Sequence, residues 1–371
     1  MSNQEFPTTA KVVVIGAGIV GNCLVGHLAR LGWTDMVLID KGPLPNPGGS
    51  TGHASNFIFP VDHNKEMALL GVQSANQYRD VERSVDSGGI EVARTPERMD
   101  EFQRRMTSAK AWGVEAELLT PAQVKELVPF INENVILGGF SCPSVSVVDS
   151  LDTGTLFRNE AIEKTGLKVF ANTEVLDVET EDEPGTGLQK VTAVVTDKGR
   201  IEAEYVVVAC GVWSNRIANM AGATIPLVPA VHQMADVGPM DILAETQSEI
   251  SYPIVRDMDT FCYERQSSGS MEVGSYAHRP ILHHPDDIPS NEEAALSPTE
   301  MPFTPDDFDQ QMEEAIELMD MLGDAEIKYA INGLLSLTPD AMPCLGETTE
   351  VRNLWSAAAV WVKEGPGMAQ V

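Results

Sequence analysis

Apolar residues gather first in short unbroken runs. Val12-Val13-Val14-Ile15 and Met36-Val37-Leu38-Ile39 are continuous enough to be strands buried on both faces, and residues 19–31 between them repeat their apolar positions with helical spacing. A βαβ unit is therefore predicted at the start. Residues 67–85 read as a helix with Met67, Leu70, Val72 and Ala75 on its apolar side, 90–95 as a strand and 100–112 as a charged helix. Thr120 and Pro121 supply an N-cap and a first helical position for another helix, and 150–165 is helical again. Strand patterning returns at 168–178. A hairpin is predicted around Asp197-Lys198-Gly199, with arms 191–195 and 201–203, and 205–209 reads as a second buried strand. Residues 225–280 alternate strand-like runs with polar turns, 281–306 form an acidic, proline-rich surface excursion, and 308–322 is an amphipathic helix. The apolar stretches 327–346 and 353–362 read as strands returning to the first domain.

This order predicts a mixed α/β (α+β) chain. A Rossmann-like domain would be assembled from residues 8–60, 145–225 and 327–371. It would be interleaved with a mostly antiparallel β-sheet domain from residues 61–144 and 226–326.

The turn after the first strand carries the sharpest chemistry. Gly16 permits the tight exit from the strand, Gly18 leaves room for a pyrophosphate against the backbone, and Gly21 lets the helix pack closely on the sheet. The helix then directs its first N–H groups at the phosphates. Asp40 falls about 20 residues beyond the last glycine, where an acid accepts ribose hydroxyls. A plain glycine-rich turn would not explain Asp40, so the unit reads as a dinucleotide site.

Composition narrows the rest. A chain of 371 residues suffices for one elaborated α/β domain or two domains, with a core that needs no disulfide or metal. The five cysteines are scattered with no CxxC pair, residues 1–11 lack an apolar signal core, and no run of about 20 apolar residues occurs. A cytoplasmic protein without a membrane span is expected. A formal net charge of −30 argues against nucleic acid and anionic lipid as partners and reads as a heavily solvated surface. His283-His284-Pro285-Asp286-Asp287 holds metal-ligand residue types without a second cluster, so a solvated loop and no metal are expected. No GxSxG elbow or P-loop occurs.

Further motifs follow the glycine turn in order: Asp40-Lys41-Gly42, Gly49-Ser50-Thr51-Gly52-His53-Ala54, Ala209-Cys210-Gly211-Val212-Trp213, Gly274 to Pro280, Asn332-Gly333, Thr338-Pro339-Asp340 and Ala359-Val360-Trp361-Val362. In that order the chain resembles the FAD-dependent amine oxidoreductases of the D-amino-acid-oxidase superfamily, in particular the branch of dimethylglycine oxidase and dimethylglycine or sarcosine dehydrogenase. The resemblance implies an FAD-binding domain over a substrate sheet. It implies oxidative N-demethylation of a small N-methyl amino acid, with hydride passing from the N-methyl carbon to flavin N5. Oxygen or an electron-transfer flavoprotein would be the acceptor. Many members continue into a folate-binding region; this chain ends at Val371, within what should be the last FAD-domain helix, so the expectation is either that the folate module is absent by evolution or, as favoured, that the chain is a fragment. The alternatives are oxidation of another small amine or D-amino acid on the same fold, or a flavin-holding subunit inactive without a C-terminal partner.

The resemblance also assigns residues. His53 would bond covalently to the flavin, a reaction suited to neutral imidazole. Gly16, Gly18, Ile19, Val20, Gly21, Asp40, Lys41, Ser50, Thr51, Gly52 and Phe57 would surround the cofactor, with Val175 against the adenine and Gly211 and Trp213 beside it. His232 would accept the ammonium proton, and Tyr263 would hold the amine or carboxylate in place and join the proton relay. Lys363, Glu364, Gly365 and Pro366 would meet the pyrimidine end of the flavin at a helix N-terminus. Close relatives place a Thr-His pair where this chain has Lys363-Glu364. Lys363 would either pair with the substrate carboxylate, as in monomeric sarcosine oxidases, or form a solvent-facing pair with Glu364. Arg279 is a further candidate for attracting a carboxylate, although Pro280 suggests a structural corner.

Overall fold

Val12, Val13, Val14 and Ile15 are buried in the computed structural model, which describes residues 5–244, 246 and 248–371. The first four residues of the polar N-terminal stretch, and Glu245 and Gln247 within 225–280, lie outside the described residues. The strand Thr9–Ile15 lies between two parallel neighbours, Met36–Ile39 and Gly199–Val208, with Val13 opposite both Val37 and Val206. Burying one such aliphatic side chain contributes roughly 1.5–3 kcal/mol, which is why the most apolar segments take the centre. Helix Ile19–Arg30 makes the crossover, and helix Ser150–Thr165 packs beside it. Lys168–Phe170 and Leu354–Ala358 extend the parallel part, and the antiparallel strands Gln189–Thr196 and Val175–Asp182 finish one edge.

The second large sheet is antiparallel except where Ile254–Asp257 runs parallel to Gly89–Ala93. The architecture is thus a Rossmann-like α/β layer joined to a mostly antiparallel sheet. One expectation is corrected here. Ile327–Leu337 does not return to the first sheet; it pairs along its length with Val228–Val237, His232 facing Gly333. The chain rejoins the first sheet only at Cys344–Glu347, which pairs with Leu354–Ala358. Alternating burial satisfies either sheet, and the long complementary partner decides.

Local signals hold where a cap is present. Thr120 and Gln123 form a reciprocal capping box, and helix Ser150–Thr165 ends at Gly166 with φ 70°. The charged helix starts earlier than its apolar pattern, at Pro96, because Thr95 accepts a hydrogen bond from the Arg98 N–H. Helix Lys65–Asp80 ends short of residue 85; Glu82 has φ 58°, and Ser84–Asp86 pairs with Ser146–Val148. The amphipathic helix is Pro305–Leu318, with a 3-10 turn, Asp320–Asp324, after it. Residues 201–203 and 205–209 belong to one strand, Gly199–Val208, rather than two.

Side-chain alternation gives the strand Cys262–Ser267 two environments. Cys262 lies in the core beneath helix Pro305–Leu318, with Phe308, Ala315 and Val273. Glu264 follows on that face and is 1% exposed, with no hydrogen-bond partner at either carboxylate oxygen among the described residues. Tyr263 points the other way, towards the first sheet.

Candidate active site

The strands Thr9–Ile15, Met36–Ile39, Gly199–Val208 and Leu354–Ala358 end together. Ile15, Gly16, Ile39, Asp40, Ala209, Cys210 and Ala359 open from those ends onto a cavity of about 550 Å³. Ligands of open α/β sheets bind at such carboxyl ends. The glycine turn is forced by contact as well as by conformation. Gly16 has φ 106°, and a Cβ on Gly21 would lie 1.9 Å from the Gly16 carbonyl oxygen. Gly18 ends the turn at the cavity wall, and the Ile19 N–H donates to Thr51 Oγ1 at 3.1 Å. Asp40 accepts from the Ala17 N–H at 2.7 Å and the Gly42 N–H at 2.8 Å, tying the second strand to the turn. Burial raises its carboxyl pKa against those two bonds. Lys41 stands over the Trp213 ring, 3.7 Å from its centroid. Burial and the nearby Arg216 lower its pKa.

Most residues assigned from the sequence line this one cavity: Gly16, Gly18, Ile19, Val20, Asp40, Lys41, Ser50, Thr51, His53, Phe57, Val175, Gly211, Trp213, His232, Lys363 and Glu364. Five stand behind its wall. Gly21 packs on Gly16, and Gly52 packs on Asn46. Gly365 packs on Ile19, and the Pro366 carbonyl meets His27 Nε2 at 3.1 Å. The expected terminal helix amounts to Gly365–Met368. Tyr263 is the fifth; it meets the cavity lining at Ser55, whose hydroxyl it contacts, and at the rings of His232 and Phe57.

His53 sits at the end of the 3-10 turn Ser50–Gly52, which Ser50 anchors by donating to the Leu334 carbonyl at 2.6 Å. Its Nε2 is buried without a hydrogen-bond partner among the described residues. Burial holds the imidazole pKa below its ordinary value, so it is neutral at pH 7. A Cβ on Gly333 would come within 2.8 Å of this ring, so the glycine makes room for it.

His232 is also neutral, and strongly so: burial, with His53 and His278 adding, pushes its pKa down to about 3. Its Nε2 likewise has no partner. Its ring stacks 5.6 Å from Tyr263 and 4.4 Å from Tyr276.

Lys363 is neither free for a substrate nor solvent-facing. It pairs with Asp62 and, at 3.1 Å, with Glu364, all three largely buried. Burial alone would lower its pKa, but the two carboxylates outweigh burial and raise it. Arg279 stands away from the cavity, exposed and paired with Asp307 at 2.7 Å.

The cavity holds residues that the motifs did not mark. Arg256 and Arg105 line it around Glu91, which is 1% exposed and pairs with them at 3.0 Å and 2.6 Å. Arg105 Nε and Nη1 have no partner. Arg256 lies directly across the sheet from Tyr263. A legible signal existed: Glu91 interrupts the apolar strand Gly89–Ala93, and Arg256 interrupts Ile254–Asp257. A charge inside an apolar strand needs a buried partner or a ligand.

The family model for FAD-dependent oxidoreductases (DAO) matches residues 11–371. The chain belongs to that family. It is 30% identical over 363 residues to mitochondrial sarcosine dehydrogenase of Mus musculus, covering 95% of this chain and 38% of that protein. It is 28% identical over 364 residues to 4-methylaminobutanoate oxidase (formaldehyde-forming) of Paenarthrobacter nicotinovorans, covering 96% of this chain and 42% of that protein. The chain thus spans about two fifths of the length of these relatives. The fold is shared with L-proline dehydrogenase of P. horikoshii, at a TM-score of 0.82 and 23% identity over 98% of this chain and 91% of that one. The family cofactor fits the residues present: a glycine turn that excludes side chains, a buried acid beside it, and an unpartnered neutral imidazole on the same cavity wall.

Proposed function

We propose that this chain oxidises a small amino acid at a C–N bond, and that the substrate is an N-methyl amino acid. The observation that carries this reading is one continuous cavity joining the glycine turn to His53, His232, Tyr276 and Arg256. FAD, when bound there, supplies the two-electron acceptor for the substrate's N-methyl C–H bond. The turn residues, Ser50 and Thr51 would hold its diphosphate, Asp40, Lys41, Val175 and Trp213 its adenosine end, and His53 would be its point of covalent attachment. Arg256 holds the substrate carboxylate, since Glu91 occupies only part of its guanidinium. His232 Nε2 accepts a hydrogen bond from the amine and sets its orientation. Oxygen or an electron-transfer flavoprotein would be the final electron acceptor, and a folate-binding module or subunit would receive the one-carbon unit. The relatives' names support the N-methyl class while differing in the spacing between amine and carboxylate.

A second reading is oxidation of another small amino acid. Phe57, Phe59, Val61 and Met258 line the wall near Arg256 and would accept an apolar side chain as readily as an N-methyl group.

The purified protein is reconstituted with FAD and titrated anaerobically with sarcosine, dimethylglycine, 4-methylaminobutanoate, glycine, proline and D-alanine. Flavin bleaching by the N-methyl compounds at the lowest concentrations supports the first reading; bleaching by the others alone favours the second. Acid precipitation should leave yellow colour in the pellet, and His53→Ala should move it to the supernatant. A folded protein that stays colourless with FAD refutes both readings.

A further inference from the structure

A chain of hydroxyls leads from the cavity to a buried carboxylate. Ser55 lines the cavity and contacts the Tyr263 hydroxyl. Tyr263 in turn donates to Glu272 Oε1 at 3.1 Å. Glu272 Oε2 lies 3.4 Å from Arg265, which also pairs with the exposed Glu249. The tyrosine's course is built into the strand pairing. Tyr263 lies opposite Gly274, and a Cβ there would fall 2.0 Å from the phenol ring. Only glycine lets the ring lie across that strand towards Glu272, two residues along. The Phe57 ring, 4.8 Å away and edge-on, closes the other side.

We infer that Ser55, Tyr263 and Glu272 form the path by which the bound ammonium loses its proton before oxidation, with Glu272 as the acceptor. This inference rests on the reading of the chain as an amine oxidoreductase. The ammonium N–H bond breaks and its proton goes to Ser55 Oγ. The Ser55 proton passes to Tyr263 Oη, and the Tyr263 proton to Glu272 Oε1. One neutral amine and one protonated Glu272 result; both hydroxyls are restored and no electron moves. Glu272 then returns the proton to solvent through its small exposed edge, 11% of the side chain.

The groups around Glu272 suit the task. From the strand Cys262–Ser267 it meets Arg265 and Tyr263; from Val228–Val237 it meets Asp236, directly opposite, whose Oδ1 has no partner; along its own chain Tyr276 lies near. Burial, with Glu272 adding, keeps the Tyr263 phenol protonated, so it passes a proton without resting as the anion.

In this path Ser55 touches the substrate, and Tyr263 and Glu272 act through it. The test is the pH profile of anaerobic flavin reduction by the best N-methyl substrate. Glu272→Gln should slow reduction at pH 7 by about 10²-fold, the lower end of general-base effects. It should also move the acid limb upward towards the pKa of the free ammonium, converging with wild type at high pH. Ser55→Ala removes the link at the cavity without touching the Glu272–Arg265 pair and should move the same limb, which covers a Glu272→Gln that fails to fold. A limb at the wild-type position in Ser55→Ala or in folded Glu272→Gln overturns the path and leaves the amine-oxidising reading intact. A wild type that no amine reduces overturns that reading and the path with it.

Discussion

Glu264 is buried with neither oxygen hydrogen-bonded among the described residues, so stability should depend on its protonation. Burial, with Asp257 adding, pushes its pKa up to about 8 from an ordinary 4.5. Between those values the native state holds a proton that the unfolded chain has released. Stability therefore falls as pH rises from about 4.5 through about 8, and the loss is complete above the folded pKa. The shift corresponds to about 5 kcal/mol at 1.36 kcal/mol per unit, an upper bound because local opening relieves part of it. Glu264→Gln keeps the shape and cannot ionise. It should match wild type near pH 5 and exceed it by a few kcal/mol near pH 9. The assay is urea unfolding followed by tryptophan fluorescence at both pH values. The slope due to all other acids is common to the two proteins and cancels. Parallel pH dependences for wild type and Glu264→Gln would refute the reasoning.

Gly21→Ala places a methyl against the Gly16 carbonyl oxygen; calorimetry should show a loss of about 1–3 kcal/mol, and flavin content after reconstitution should fall with it. Arg256→Ala should weaken binding of a carboxylate-bearing substrate by about 10–100-fold, as expected for losing a charge-assisted bond, read as KM against kcat. Lys363→Met leaves Asp62 and Glu364 without their cation and should destabilise the fold by on the order of 3 kcal/mol, with Asp62→Asn added to Lys363→Met restoring part of it. A folded Lys363→Met that keeps wild-type stability would show that the pair is solvated.

Local structure with a local cause was legible in the sequence. The βαβ unit, its glycines and Asp40 depend on strand hydrophobicity, on φ and on the space a Cβ would take, all of which are set within about 30 residues. The same holds for the capping box at Thr120 and for helix Ser150–Thr165, which has Gly166 after it. His53 and His232 could be singled out by their flanking motifs, and both line the cavity. What the residues around a side chain do to it was not legible. Lys363 read as a free cation or a solvent pair until Asp62, about 300 positions away, came to lie against it. Tyr263 read as a substrate contact, and the register with Gly274 turned it behind Ser55 towards Glu272. The strand Ile327–Leu337 carried burial compatible with either sheet, and its register with Val228–Val237 chose one. Periodicity and steric exclusion are properties of short segments, so the order of residues determines them. Charge pairing, desolvation and strand partnership are properties of distant segments brought together, so only the folded chain decides them.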